Sequence, residues 1–135
     1  MAGVEKRTLR GHSDDVNCCA FSPDGQSVLS GSDDKTLKIW SAGDGSERYT
    51  LRGHSARVGG CCWVADNIVI SSSEDGTTRW WRICDDNVVD NVATFFSKGP
   101  ATALAATSGG NAVLGTSTGS VEIVRFSSDK ELRST

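Results

Sequence analysis

LRGHSDDVNCCAFSPDGQSVLSGSDDKTLKIW occupies residues 9–40, and the same order of residue types returns as LRGHSARVGGCCWVADNIVISSSEDGTTRWW at residues 51–81. The chain has two histidines, and both lie in the shared LRGHS, at His12 and His54, 42 residues apart. At that offset Val16 meets Val58, Cys19 meets Cys61 and Phe21 meets Trp63. One deletion shortens the offset to 41, after which Ser30 meets Ser71, Asp34 meets Asp75, Thr36 meets Thr77 and Trp40 meets Trp81. Self-similarity at such a period marks one supersecondary unit used repeatedly, each copy covering the apolar face of its neighbour.

A weaker third copy follows in ATALAATSGGNAVLGTSTGSVEIVRF, residues 101–126. Its GSVEIV (119–124) aligns with GTTRWW (76–81), but Lys98 stands where histidine is due, Thr118 where aspartate is due and Val124 where tryptophan is due. Within the first copy, residues 16–21 form a strand and SPDG (22–25) a tight turn. Residues 27–31 and 36–40 are the next strands, joined by a turn at 33–35. SAGDG (41–45) turns again into a fourth strand at 47–51. Four short antiparallel strands in each ~42-residue unit predict an all-β chain with helix nearly absent.

These two stretches closely resemble WD repeats of the β-propeller family, and the third resembles a degenerate blade. The resemblance implies a partial β-propeller of three four-stranded antiparallel WD-repeat blades, at about 10–51, 52–96 and 97–135. Residues 5–9, EKRTL, match ERYTL at 47–51 and are expected as an extra outer strand. The second letter of the family's usual Trp-Asp pair is missing, since Ser41 follows Trp40 and Arg82 follows Trp81. In such blades the Gly-His histidine resembles one member of a buried hydrogen-bonded set. Carried across, the sets are His12, Ser30, Asp34 and Trp40, and His54, Ser71, Asp75 and Trp81.

Ser30, His12 and Asp34 are also the residue types of a nucleophilic triad. The set repeats in the second copy, whereas an active site need not, and no G-x-S-x-G elbow accompanies it. No catalytic residue is therefore assigned and no enzyme activity is expected. The Gly-rich turns lack the Lys-Ser/Thr and following helix of a phosphate loop. Trp63 matches Phe21 and Trp81 matches Trp40, which puts all four at core positions between blades; Trp80, matching Ile39, is assigned to packing as well. Asp85, Asp86 and Asp90 lack the spacing and glycine of a calcium loop. The five cysteines include two adjacent pairs, whose members point to opposite faces of a strand and cannot chelate one ion. No metal and no cofactor are expected.

Composition narrows the remaining classes. A net charge of -3 over 135 residues gives no electrostatic case for nucleic acid or an anionic membrane. The opening MAGVEKR has no apolar core of a signal peptide, and an odd cysteine count argues against a disulfide framework, so a reduced, cytoplasmic location is expected.

What the resemblance leaves is a surface. The family's contact face lies near the Gly-His loops and the turns between second and third strands. The positions there are Asp15, Asn17 and Asp33 in the first blade and Arg57, Gly59 and Glu74 in the second. The acidic first rim favours a basic peptide, and the expected role is a protein–protein interaction scaffold binding peptide or protein partners. The alternative is a ligand-sensing, regulatory propeller piece of a larger NACHT or NB-ARC-type nucleotide-binding signalling protein. Three blades fall short of the usual 4–8, so the chain is expected to associate with itself or with further blades.

Overall fold

The computed structural model describes residues 3–84, 89–107, 109–126 and 132–134. Its first sheet comprises β1 (Val16–Phe21), β2 (Ser27–Ser32), β3 (Leu37–Ser41) and β4 (Glu47–Leu51) in that spatial order. The second comprises β5 (Val58–Ala65), β6 (Ile68–Ser73), β7 (Thr77–Ile83) and β8 (Val89–Phe96), and the third β9 (Ala101–Ala106), β10 (Ala112–Thr116), β11 (Val121–Phe126) and β12 (Leu132–Ser134). Every neighbouring pair is antiparallel, and no helix occurs among the described residues. The first strands β1, β5 and β9 lie side by side, so the three blades converge on their opening strands.

Register explains the paired cysteines. Cys19 sits opposite Ser30 and Cys18 opposite Gly31, so adjacent thiols point to opposite faces. One face of the first sheet carries Leu29, Leu37 and Ile39 and meets Val58, Val69 and Trp81 of the second, all buried. Gly31 permits the close approach there, because a Cβ would fall 2.6 Å from Cys18 Sγ and 2.7 Å from a Val58 methyl. The other face of the second sheet presents Ile70 and Trp80 to Ala112, Leu114 and Val124 of the third. Trp80 stacks on Phe126 at 6.1 Å and donates from Nε1 to the Gly110 carbonyl at 2.9 Å. It is thus a packing residue between blades. Each such fully buried apolar side chain contributes about 1.5–3 kcal/mol.

Two expectations are corrected. Residues 5–9 form no strand. A strand needs a ladder partner, and none lies beside them among the described residues; Arg7 instead donates to the carbonyls of Gly43 and Asp44. Phe21, matched to Trp63 as a core residue, is largely exposed. Trp63 has the first sheet in front of it and donates to the Ala20 carbonyl at 3.2 Å, whereas no sheet stands before Phe21.

The turn between the second and third strands has the same backbone in each blade. Gly76 and Gly119 have φ of 84° and 86°, and Lys35 at the equivalent position has φ of 76°. A side chain in this left-handed region crowds its own carbonyl. Lys35→Gly is therefore expected to stabilise the chain by roughly 0.5–1 kcal/mol in urea unfolding, with little change at any other turn.

Candidate functional site

The Gly-His loop lies before β1, the serine on β2, the aspartate in the β2–β3 turn and the tryptophan on β3. His12 Nδ1 is 2.8 Å from Asp34 Oδ2, and its Nε2 is 2.7 Å from Ser30 Oγ. Trp40 Nε1 donates to Ser30 Oγ at 2.8 Å. The second blade repeats these contacts at 2.9, 2.7 and 2.8 Å through His54, Asp75, Ser71 and Trp81. One proton arrangement satisfies every atom. The carboxylate accepts a hydrogen bond from Nδ1–H, so Nε2 accepts from the serine hydroxyl, and the serine oxygen accepts from the indole.

Each aspartate gathers further donors. Asp34 accepts from the Thr36 hydroxyl at 2.6 Å and from the backbone N–H groups of Thr36 and Ser13. Burial alone would raise its pKa, but these donors and His12 outweigh burial and hold it well below the usual carboxylate range. Asp75 is shaped the same way: burial opposes ionisation, yet Thr77, His54 and the Ser55 N–H bring its pKa down to about 2. Burial depresses the His54 pKa, and the hydrogen bond and charge of Asp75 restore only part of it. The imidazole is therefore held neutral, in agreement with the proton arrangement above. Both serine hydroxyls are buried and engaged on two sides, so these sets present no free nucleophile.

The third blade fills the same place differently. Thr116 Oγ1 bonds Thr118 Oγ1 at 2.8 Å and Ser120 Oγ at 2.6 Å, and Thr118 donates to the Lys98 carbonyl. Leu114 and Val124 take the positions of Ser30 and Trp40, opposite Glu122 and Ala112 respectively.

At the converging end lies a cleft of about 550 Å³. Of the six rim positions inferred from sequence, Asn17, Arg57, Gly59 and Glu74 line it. Asp15 and Asp33 stand beside it, where the carboxylates of Asp14, Asp15 and Asp33 lie within 4.8 Å of one another. Asn17 joins the two groups, donating to Asp33 at 2.7 Å and to the Val58 carbonyl at 3.0 Å. Arg57 and Glu74 form an exposed ion pair. Cys18, Cys61 and Leu104 supply apolar wall, and Pro100, Thr102 and Ser117 complete the rim from the third blade. Sequence reasoning missed these last three, and the backbone shows the equivalence of two of them. The Asp33 N–H donates to the Asp15 carbonyl, Glu74 to Arg57 and Ser117 to Pro100, the same contact at the same repeat position. Asp85 and Asp86 lie outside the described residues, and Asp90 is on β8.

The family model described as "WD domain, G-beta repeat" matches residues 3–41 and 45–82, more than half of the chain. The chain belongs to the WD-repeat family. Its described architecture is all-β, three four-stranded antiparallel blades, as in the solved WD-repeat propellers it resembles. It aligns with the C-terminal WD40 domain of Sif2 at 30% identity and a TM-score of 0.76, covering 87% of this chain and 33% of that one. With U3-55K the values are 27%, 0.80, 93% and 38%. Among curated relatives, the vegetative incompatibility protein HET-E-1 of Podospora anserina is 58% identical over 40 residues, 30% of this chain and 3% of that protein. Periodic tryptophan protein 2 of Arabidopsis thaliana is 34% identical over 73 residues, 53% of this chain and 8% of that protein. The WD-repeat chain thus spans about a third of the solved propellers and a small part of these relatives. A protein-interaction scaffold is the general role that fits such a domain, and the family is generally non-catalytic.

Two predictions follow from the histidine sets. His12→Ala or Asp34→Ala leaves a buried partner unsatisfied and should cost about 1–3 kcal/mol in urea unfolding. Thr118→Ala or Lys98→Ala should cost under about 0.5 kcal/mol, because the Thr118 side chain is exposed and Lys98 accepts its bond through the backbone carbonyl. For pH, the three lowered pKa values, of His54, Asp34 and Asp75, each give stability that is present above the group's unfolded value and lost as pH falls. His54 should begin to lower the melting temperature below about pH 6.5, and Asp34 and Asp75 should steepen the loss from about pH 4 downward. A melting temperature that rises on acidification from pH 7 to 5 would contradict the neutral imidazole.

Proposed function

We propose that the converging end of this arc is a docking face for a protein segment carrying a lysine or arginine. The observation that supports this reading is the asymmetric rim around one cleft. Its first-blade side carries three neighbouring carboxylates, Asp14, Asp15 and Asp33. The second-blade side is internally neutralised by the Arg57–Glu74 pair, and the third-blade side is uncharged at Pro100, Thr102 and Ser117. A cationic side chain is drawn to the acidic side, while the rest of the segment crosses the cleft against Cys18, Cys61 and Leu104. Charge selects the partner and the apolar wall holds it. No observation favours the sensor-propeller alternative, and the scaffold reading is retained.

The test is fluorescence-polarisation binding of a randomised peptide pool containing one fixed arginine, against the same pool with glutamate fixed. The arginine pool should bind more tightly, and Asp33→Lys should weaken it about tenfold or more, with the effect shrinking as salt is raised. Equal binding of the two pools, or an unchanged affinity after Asp33→Lys, would overturn the reading.

A further inference from the structure

All five cysteines are free, and the fold sorts them by face. Cys19 is exposed, Cys62 packs between the second and third blades, and Cys84 stands beside Asp90. Cys18 and Cys61 instead share the seam between the first and second blades, where both pack on the cluster that includes Leu29, Val58 and Trp81. Equivalence by offset pairs Cys19 with Cys61, but the thiols that meet are Cys18 and Cys61. Cys18 lies opposite Gly31 on the face turned to the second blade: a Cβ on Gly31 would touch both its Sγ and a Val58 methyl. Cys61 faces back across the same seam, and its S–H donates to the Cys18 sulfur.

The next seam shows how near these positions come. Register makes Gly60 the equivalent of Cys18 and Leu104 the equivalent of Cys61. A Cβ on Gly60 would lie 3.4 Å from the Leu104 Cβ. Cysteines joined by a disulfide have Cβ atoms about 3.5–4.5 Å apart, so the seam spaces this pair of positions for a bridge. Both sulfurs also line the cleft of about 550 Å³, which gives a small oxidant access to them.

We infer that Cys18 and Cys61 are a redox-active dithiol that closes to an inter-blade disulfide, with Cys18 attacking, Cys61 resolving and glutathione disulfide as oxidant. The two sulfurs are suited to different steps. The bond from Cys61 holds the Cys18 thiol below its ordinary pKa against the effect of burial, and the Gly31 N–H adds to it, so Cys18 supplies the thiolate. That thiolate attacks one sulfur of glutathione disulfide, forming a Cys18–glutathione disulfide and expelling a glutathione thiolate. The bond to Cys18, ahead of burial, is what raises the Cys61 pKa, and it is lost once Cys18 is capped. Cys61 then gives up its proton and attacks the Cys18 sulfur, and the second glutathione thiolate leaves. Two thiols are oxidised, one glutathione disulfide is reduced to two thiols, and the protons released by the cysteines end on glutathione.

The inference does not rest on the peptide reading, and its test needs no peptide. The reduced chain is treated with one equivalent of glutathione disulfide, quenched in acid and mapped by mass spectrometry. A Cys18–Cys61 linked peptide should form, and dithiothreitol should remove it. Cys61→Ser should stop at the Cys18–glutathione adduct, whereas Cys19→Ser and Cys84→Ser should leave the bridge intact. Under brief iodoacetamide labelling of the reduced chain, Cys18 should react before Cys61. The bridged chain should unfold at higher urea than the reduced one, since the bridge closes a long loop within an intact seam. Absence of the linked peptide would overturn the inference, as would a Cys18–glutathione adduct that accumulates in the unsubstituted chain. A bridged chain that unfolds at lower urea would also overturn it, because the bond would then form only by distorting the seam.

Discussion

An imidazole carries two ring nitrogens on opposite sides, so one ring can bond two partners at once, and each of the two clear blades is built around a histidine. His12 ties the loop before β1 to the turn after β2, and through Ser30 to the indole on β3. Removing the proton from Nδ1 would turn a lone pair toward a carboxylate, and adding one to Nε2 would remove the acceptor the serine needs. The threonine and backbone donors fix the carboxylate, and the carboxylate and serine together fix the orientation of the ring. The aspartate in turn sets the left-handed turn in which Lys35 and Gly76 sit, since Thr36 and Thr77 reach back to the same carboxylates.

The third blade shows what the set does by lacking it. It keeps four strands and the left-handed glycine, but a cluster of three hydroxyls replaces the carboxylate and imidazole. Leu114 and Val124 replace the serine and tryptophan and are buried against the second blade. A blade can thus be held by packing on one neighbour, without the polar set, provided that neighbour is present. The rim follows the same division. Positions beside the polar sets carry charge, and those of the third blade carry none.

Much of this was legible in the sequence because recurrence is itself information. Spacing matched the eight residues between the two copies, the family resemblance grouped them into two sets, and the strand bounds were close, with 27–31 and 36–40 becoming Ser27–Ser32 and Leu37–Ser41. The misses share one cause. Sequence equivalence says that Phe21 corresponds to Trp63 and that residues 5–9 correspond to 47–51, but burial and strand pairing depend on a neighbour that equivalence does not supply. Trp63 and Glu47–Leu51 have that neighbour; Phe21 and residues 5–9 do not. Pro100, Thr102 and Ser117 were missed for a different reason. The third copy was aligned through its lost marker residues, whereas its rim is preserved in backbone geometry, which any residue can supply.

The constraint that governs the whole arc is that a blade has two apolar faces and a propeller unit stabilises only what stands next to it. The second blade, covered on both sides, contributes to both buried clusters, and its Trp80 and Trp81 point to opposite neighbours. The end blades are each half covered. The N-terminal segment mitigates this at one end: a Cβ on Gly11 would touch the Trp40 ring at 3.0 Å, so the Gly-His loop lies over that indole. It does not reach Val16 or Phe21, which remain open. Among the described residues each end blade is therefore held by packing from one side, and the second blade from both.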